Sequence, residues 1–185
     1  MKIFISLVLL FLTSAAAFAV NYDYIFASTK PADFELLKNI DPYQQEDYYN
    51  YAWTPYPLFR TSSKLVTQTS VIEAGYYLLV PRTMKGRDYV FFKENGVVRH
   101  VVPVYKTEAV DELFYSNIMP QPSKTKWQKF TEGAAKKFYK TFNGSKKQAP
   151  PQAFIETVHL DGKYMDINLY YGDKKYSMLF KLEQY

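Results

Sequence analysis

The chain has 185 residues, of which 48% are hydrophobic, 18% aromatic and 22% charged, and its formal net charge is +5. Its 18 Tyr, 14 Phe and 2 Trp provide enough apolar surface for one folded domain, which excludes disorder over most of the length. The sequence has no cysteine and two histidines, so disulfides, thiolate catalysis, sulfur-ligated zinc and a His-rich metal site are excluded, and no cofactor is expected.

The first 19 residues have the pattern of a cleavable signal peptide. Lys2 is followed by an apolar run from Ile3 to Leu12, interrupted by one serine, and then by Ala17-Phe18-Ala19, the small-residue form that signal peptidase cleaves. The run is about half of the ~20 residues that a transmembrane helix needs. We therefore expect cleavage after Ala19 and export to a bacterial periplasm, cell surface or medium, with no transmembrane span in the mature chain.

A short helix is predicted over Pro31 to Ile40, within an N-terminal part that covers residues 20–60. Proline is tolerated in the first helical turn, and the acids of that turn complement the helix dipole. Phe34 and Leu37 fall on one face of this helix.

The tract from Tyr43 to Phe59 is rich in aromatic residues and is interrupted by Pro55 and Pro57. The prolines disfavour a regular helix or a central strand, so we expect a loop. Its rings either pin the loop to the domain or form a contact for a glycan or a protein, because Tyr and Trp rings stack on sugar faces. The candidate contact residues are Tyr48, Tyr49, Tyr51, Trp53 and Tyr56.

Residues 61–185 are predicted to form a single β-rich domain. Its first half contains β-branched and aromatic runs at 76–80, 89–93 and 97–105. Asn95-Gly96 between the last two runs is the preferred pair for a type I′ hairpin turn. Pro103 has no N–H to donate, so the end of its strand is expected at a sheet edge.

A longer amphipathic helix is predicted over residues 123–142, with Ser123 as its N-cap and an aromatic stripe that includes Trp127 and Phe138. Residues 124–147 carry a net charge of +7, and residues 33–47 carry −4. This asymmetry indicates either an anionic partner or pairing between the two segments. The candidate anion-binding lysines are Lys124, Lys126, Lys129, Lys136, Lys137 and Lys140.

The C-terminal part, residues 153–183, is predicted to be a three-stranded meander. Met165, Ile167 and Leu169 alternate with Asp166 and Asn168, which is typical of a strand with one buried face and one solvent face. The whole chain is therefore predicted to be α+β: a mainly antiparallel sheet of about six to seven strands, packed on the longer helix, with a short N-terminal helix. A small β-barrel closed by the helix is the alternative.

Sequence motifs for catalysis are weak. Ser123 to Lys126 matches S-x-x-K, but the partner motifs of that serine chemistry are missing, and a serine at a helix start is better explained as a cap. The carboxylate pairs Asp161 with Asp166 and Glu46 with Asp47 fit a hydrolase or a cation site only loosely. His100 and His159 lie within predicted strands and are expected to be structural.

These observations favour a non-enzymatic exported module that contacts an anionic envelope polymer, a glycan or an envelope protein. A small periplasmic hydrolase with a Ser–Lys or carboxylate site is one alternative, and a structural or assembly subunit of the envelope is another. Nucleic acid is not expected as a partner, because export removes the chain from it.

Overall fold

The computed structural model describes residues 20–111, 113–118 and 147–183. Within these ranges the chain forms ten β-strands in two antiparallel sheets, with three short helices and one 3-10 turn. The predicted signal peptide and the predicted helix at 123–142, with its candidate lysines and Ser123, lie outside the described residues.

The helical elements are α1 (Tyr22–Ser28), a 3-10 turn (Leu37–Asn39), α2 (Gln44–Asn50) and α3 (Phe114–Ile118). The strands are β1 (Leu58–Thr61), β2 (Leu65–Val66), β3 (Val71–Ile72), β4 (Gly75–Met84), β5 (Arg87–Glu94), β6 (Val97–Pro103), β7 (Lys106–Ala109), β8 (Ala153–Leu160), β9 (Tyr164–Tyr171) and β10 (Lys174–Leu182).

The first sheet has four strands in the order β1-β4-β5-β6. Asn95 and Gly96 connect β5 to β6 with φ values of 51° and 80°, which confirms the predicted type I′ turn. Pro103 is the last residue of β6, an edge strand, as predicted.

The second sheet contains the predicted meander, because β8, β9 and β10 pair in sequence. The other edge of β10 is shared by two short strands. Strand β7 pairs with Lys174 to Ser177, and β2 pairs with Lys181 and Leu182. Strand β3 continues the sheet beyond β2.

The main core lies between the two sheets, which pack face to face. Phe92 of the first sheet and Phe180 of the second are both fully buried, with ring centroids 6.0 Å apart. Phe59 and Tyr77 pack their rings on Phe92 from the same sheet. The mainly antiparallel architecture is thus confirmed, but the described residues form ten strands in two sheets rather than the predicted six to seven strands in one. The barrel alternative is wrong, because the two sheets of the described residues stay separate.

The outer face of the first sheet is covered by the N-terminal segment. Ala32, Phe34 and Leu36 pack on a second cluster that contains Phe91 and Tyr89, and the Phe34 ring meets Tyr89 edge-on at 5.2 Å. These three residues alternate as in a strand, so the predicted helix over 31–40 is wrong. The extended chain places all three side chains, partly buried, against the sheet. A helix would instead bury Leu37 beside Phe34, and Leu37 is 79% exposed.

The outer face of strand β9 is also buried, contrary to its predicted exposure to solvent. Asp166 and Asn168 are 9% and 3% exposed. Asn168 accepts a hydrogen bond from Ser177 Oγ at 2.6 Å, so its polar group has a partner inside the fold. Aromatic rings cover the ends of this face: Phe26 of α1 lies on Tyr164 and Phe114 of α3 stacks on Tyr170 at 4.2 Å. Among the described residues, no helix is long and apolar enough to cross a membrane.

Candidate functional site

The aromatic tract encloses a pocket of about 280 Å³ against the outer face of the first sheet. Four of the five predicted contact residues line it: Tyr48, Tyr51, Trp53 and Tyr56. Leu78 and Val80 of β4 line it from the sheet side. Tyr49 does not line the pocket and is 77% exposed. We call this cavity the aromatic pocket.

The backbone of the tract is a helix, then an irregular turn, then the start of β1 at Leu58 and Phe59, so the prediction of a loop is wrong for both ends of the tract. Helix α2 spans Gln44–Asn50, ahead of the prolines, and begins with the acids Glu46 and Asp47 in its first turn. Residues 52–57 are irregular, as the prolines predict. At the helix end, Gln148 N donates to Asn50 O at 2.7 Å and the Gln148 carbonyl oxygen accepts from Ala52 N at 3.1 Å, which ties the tract to the start of the C-terminal part.

Behind the pocket lies a buried network of charged side chains. Arg82 of β4 donates to both carboxylate oxygens of Asp41, at 3.0 and 2.7 Å, and also binds the carboxylate of Asp47. The side chains of Asp41 and Arg82 are 0% and 10% exposed. Burial opposes ionisation of Asp41, but the hydrogen bonds and charge of Arg82 outweigh it and keep the pKa of Asp41 below its usual value.

Lys93 of β5 joins this network from the neighbouring strand and lines the pocket. Its ammonium donates to Gln44 Oε1 at 2.8 Å and to Asp41 Oδ2 at 3.4 Å. Burial lowers the pKa of Lys93 more than the Asp41 carboxylate raises it. Two cations, Arg82 and Lys93, thus balance the two carboxylates of Asp41 and Asp47, and together they fix helix α2 on the sheet.

Tyr56 is the most firmly held ring of the pocket. Its hydroxyl accepts a hydrogen bond from Arg82 Nη1 at 2.7 Å, and the guanidinium carbon lies 5.3 Å from its ring centroid. On the other side it stacks with Tyr171 of β9 at 5.6 Å. Burial raises the pKa of Tyr56, so the phenol stays neutral at physiological pH.

Trp53 and Tyr48 form the accessible part of the pocket wall. They are 64% and 61% exposed although both line the cavity. Lys147, the last residue of the basic segment, also lines the pocket and donates to the Tyr48 carbonyl oxygen at 2.6 Å. Lys147 is the one residue of the basic segment that the structure describes, and it contacts a backbone oxygen just after the acidic segment, while Asp41 and Asp47 of that segment pair with cations of the sheet.

The candidate catalytic groups do not assemble in the described residues. Asp161 occupies a turn at φ 50° and Asp166 is buried in β9, while Asp47 is bound by Arg82. His100 packs its ring edge against Tyr77 at 6.1 Å, and burial lowers its pKa. Within residues 20–111, 113–118 and 147–183 no group of three or more His, Asp or Glu side chains is placed to hold a metal ion.

Sequence reasoning found the rings but missed the charged network behind them. Arg82 and Lys93 each end an apolar run, YYLLVPR and YVFFK, on the face that alternation assigns to Val80 and Phe91. A charge in phase with a buried face is a signal that an opposite charge covers it. The site is defined by this geometry alone, since no family model, no curated protein and no solved structure matches the chain.

Proposed function

We propose that the chain is a non-enzymatic exported module that binds one sugar unit of an envelope glycan in the aromatic pocket. The observation that carries this proposal is the convergence of Tyr48, Tyr51, Trp53 and Tyr56 on one cavity. A sugar ring has an apolar C–H face, which stacks on such rings, and a polar rim of hydroxyls. Polar groups for that rim lie in the same cavity, from Gln44, Asp47, Lys93 and Lys147.

The size and stiffness of the pocket support a small ligand. A volume of about 280 Å³ lies at the lower end of small-molecule sites and suits one sugar ring with its substituents. The Arg82–Asp41 pair and the Tyr56–Tyr171 stack fix two walls before any ligand arrives. A preformed wall reduces the entropy lost on binding.

The exposed ring of Trp53 provides a direct assay. The chain has 2 Trp, so Trp127→Phe leaves Trp53 as the single indole reporter. We expect the Trp53 emission of this variant to shift saturably with N-acetylglucosamine or uronic acid oligosaccharides. In calorimetry on the otherwise natural chain, Trp53→Ala is expected to weaken binding about tenfold or more, which corresponds to the loss of one stacked ring.

The matched control is Tyr24→Ala. Tyr24 is 70% exposed on α1 and does not line the pocket, so its loss removes a surface ring without touching the site. Equal weakening by both variants, or no saturable binding of any of these sugars, contradicts the proposal. Release of shortened oligosaccharides during the titration contradicts its non-enzymatic part and favours the hydrolase alternative.

A further inference from the structure

A second cleft, separate from the aromatic pocket, lies where the end of α1 meets strands β5, β6 and β7. It measures about 580 Å³ and is lined by residues from 25–30, 87–89 and 103–107. It shares no lining residue with the aromatic pocket. We propose that this cleft binds a phosphate-bearing ligand, and we call it the basic cleft.

Three cations from distant parts of the chain converge on it: Lys30, Arg87 and Lys106. Among the described residues, Lys30 and Arg87 have neither an ion pair nor a side-chain hydrogen bond, and both are exposed. Lys106 pairs with Glu108 at 2.9 Å, but Lys175 lies 3.7 Å from the same carboxylate, so Glu108 is shared between two lysines. The cleft therefore holds two cations with no acidic partner among the described residues, Lys30 and Arg87, and a third, Lys106, whose acidic partner is shared.

One acidic residue, Asp88, lines the cleft, and its carboxylate is already occupied. Thr83 Oγ1 donates to one of its oxygens, and Thr107 Oγ1 donates to the other at 2.9 Å. Asp88 forms no ion pair with a described cation. The cleft keeps an excess of positive charge, which an anion of one or two charges would balance.

The chemistry and size of the lining favour an organic phosphate ester over a small inorganic anion. A guanidinium matches the oxygens of a phosphate group with two parallel N–H donors, and two lysines add point charges beside it. The volume exceeds that of phosphate alone, and Ile25, Pro103 and Val104 offer apolar contact for an organic part. Tyr89 also lines the cleft, and its buried hydroxyl has no hydrogen-bond partner among the described residues.

Titration calorimetry at low ionic strength tests the proposal, with glucose 6-phosphate as the probe and glucose as its uncharged counterpart. We expect the phosphate ester to bind and glucose not to bind, and the affinity to fall as salt screens the cations. Lys30→Ala with Arg87→Ala is expected to weaken binding at least about tenfold, since each substitution removes a charge-assisted contact. Lys38→Asn is the matched control, because Lys38 is an exposed lysine outside the cleft at φ 50°, a conformation that asparagine tolerates.

The source of the phosphate is tested in a second arm with phosphatidylglycerol and phosphatidylcholine vesicles. Binding of the anionic vesicles that is lost in the double variant assigns the same cleft to a lipid headgroup; binding of glucose 6-phosphate alone assigns it to a soluble ester. Equal affinity of the natural chain and the double variant for the phosphate ester overturns the proposal, as does equal binding of glucose. Trp53→Ala should leave this titration unchanged, so failure of the aromatic pocket and failure of the basic cleft are separate results.

Discussion

The guanidinium of Arg82 donates two hydrogen bonds to the carboxylate of Asp41, from Nε at 3.0 Å and from Nη2 at 2.7 Å, across 41 residues of sequence. Asp41 lies just before helix α2, and Arg82 lies on β4, an internal strand of the first sheet. This contact fixes the segment that carries the aromatic pocket onto the strand beneath it. Because the Asp41 and Arg82 side chains are 0% and 10% exposed, removing either charge leaves the other buried without its partner and with little access to water.

Asp41→Asn is therefore expected to lower the free energy of unfolding by about 3–5 kcal/mol, the usual cost of breaking a buried ion pair from one side. Both Arg82 and Lys93 lose a carboxylate partner in this variant. Urea unfolding followed by circular dichroism measures the change. Asp33→Asn is the control: its ion pair with Lys85 is about 60% exposed on each side, so its loss should cost less than about 1 kcal/mol.

The cost of Asp41→Asn should also depend on pH. The folded-state pKa of Asp41 is depressed, so its stabilising contribution is complete above the unfolded-state pKa of about 3.9 and is lost as pH falls through the lower folded value. The difference between variant and natural protein should shrink as pH is lowered from 6 to 2. A difference that is constant over this range would show that the Asp41 charge does not stabilise the fold.

Asp166 is expected to show the opposite dependence on pH. Burial raises the pKa of its carboxyl, and Oδ1 has no hydrogen-bond partner among the described residues. A raised carboxyl pKa means that the folded state binds its proton more tightly than the unfolded state, so stability is lost as pH rises from about 3.9 through the folded value. The asparagine side chain of the Asp166→Asn variant does not titrate in this range. The stability of this variant relative to the natural protein should therefore improve between pH 3 and pH 7, as urea titrations at each pH would show.

The sequence predicts those parts of the fold that are determined by neighbouring residues, and not those determined by contacts between distant residues. The meander and the hairpin at Asn95-Gly96 are predicted because alternation and turn chemistry act over a few residues. The segment 31–40 is ambiguous, since Phe34 suits a helical face with Leu37 and an extended face with Leu36. Contact with Tyr89 on the sheet decides it, and no local pattern contains that contact.

The candidate site is also predicted only where its signal is local. Its aromatic residues can be identified from the sequence because they are concentrated in one tract, and four of the five candidates line the pocket. Its fixed walls are not visible, because Asp41 and Arg82 are joined by tertiary pairing over 41 residues. The burial of Asp166 and Asn168 also has no local signal, because alternation marks one buried face of β9 and does not show that the other face is covered as well.

The hairpin between β4 and β5 contains a residue that is not suited to its turn. Lys85 and Gly86 have φ values of 50° and 74°, the geometry that Asn95 and Gly96 adopt in the next hairpin. Lysine is disfavoured at positive φ, whereas asparagine is tolerated there. Lys85→Asn is expected to raise the free energy of unfolding by about 0.5–1 kcal/mol despite loss of the exposed pair with Asp33, as urea unfolding would show. Asn95→Lys is the reciprocal variant and should lower stability by a similar amount; a decrease in both variants would contradict the role of φ.

Two buried tyrosines provide a test of how the fold uses its hydroxyl groups. Tyr77 donates to the Glu73 carbonyl oxygen at 3.1 Å, whereas the Tyr89 hydroxyl has no partner among the described residues, and both side chains are buried. Tyr77→Phe removes a hydrogen bond and leaves the carbonyl without it, so the free energy of unfolding should fall by about 1 kcal/mol. Tyr89→Phe removes a buried polar group that makes no hydrogen bond, so stability should stay the same or rise by up to about 1 kcal/mol.

The two substitutions delete the same atom from the same type of residue, so comparing their thermal and urea unfolding isolates the effect of the missing partner. A larger loss for Tyr89→Phe than for Tyr77→Phe would show that the Tyr89 hydroxyl has a partner in solution.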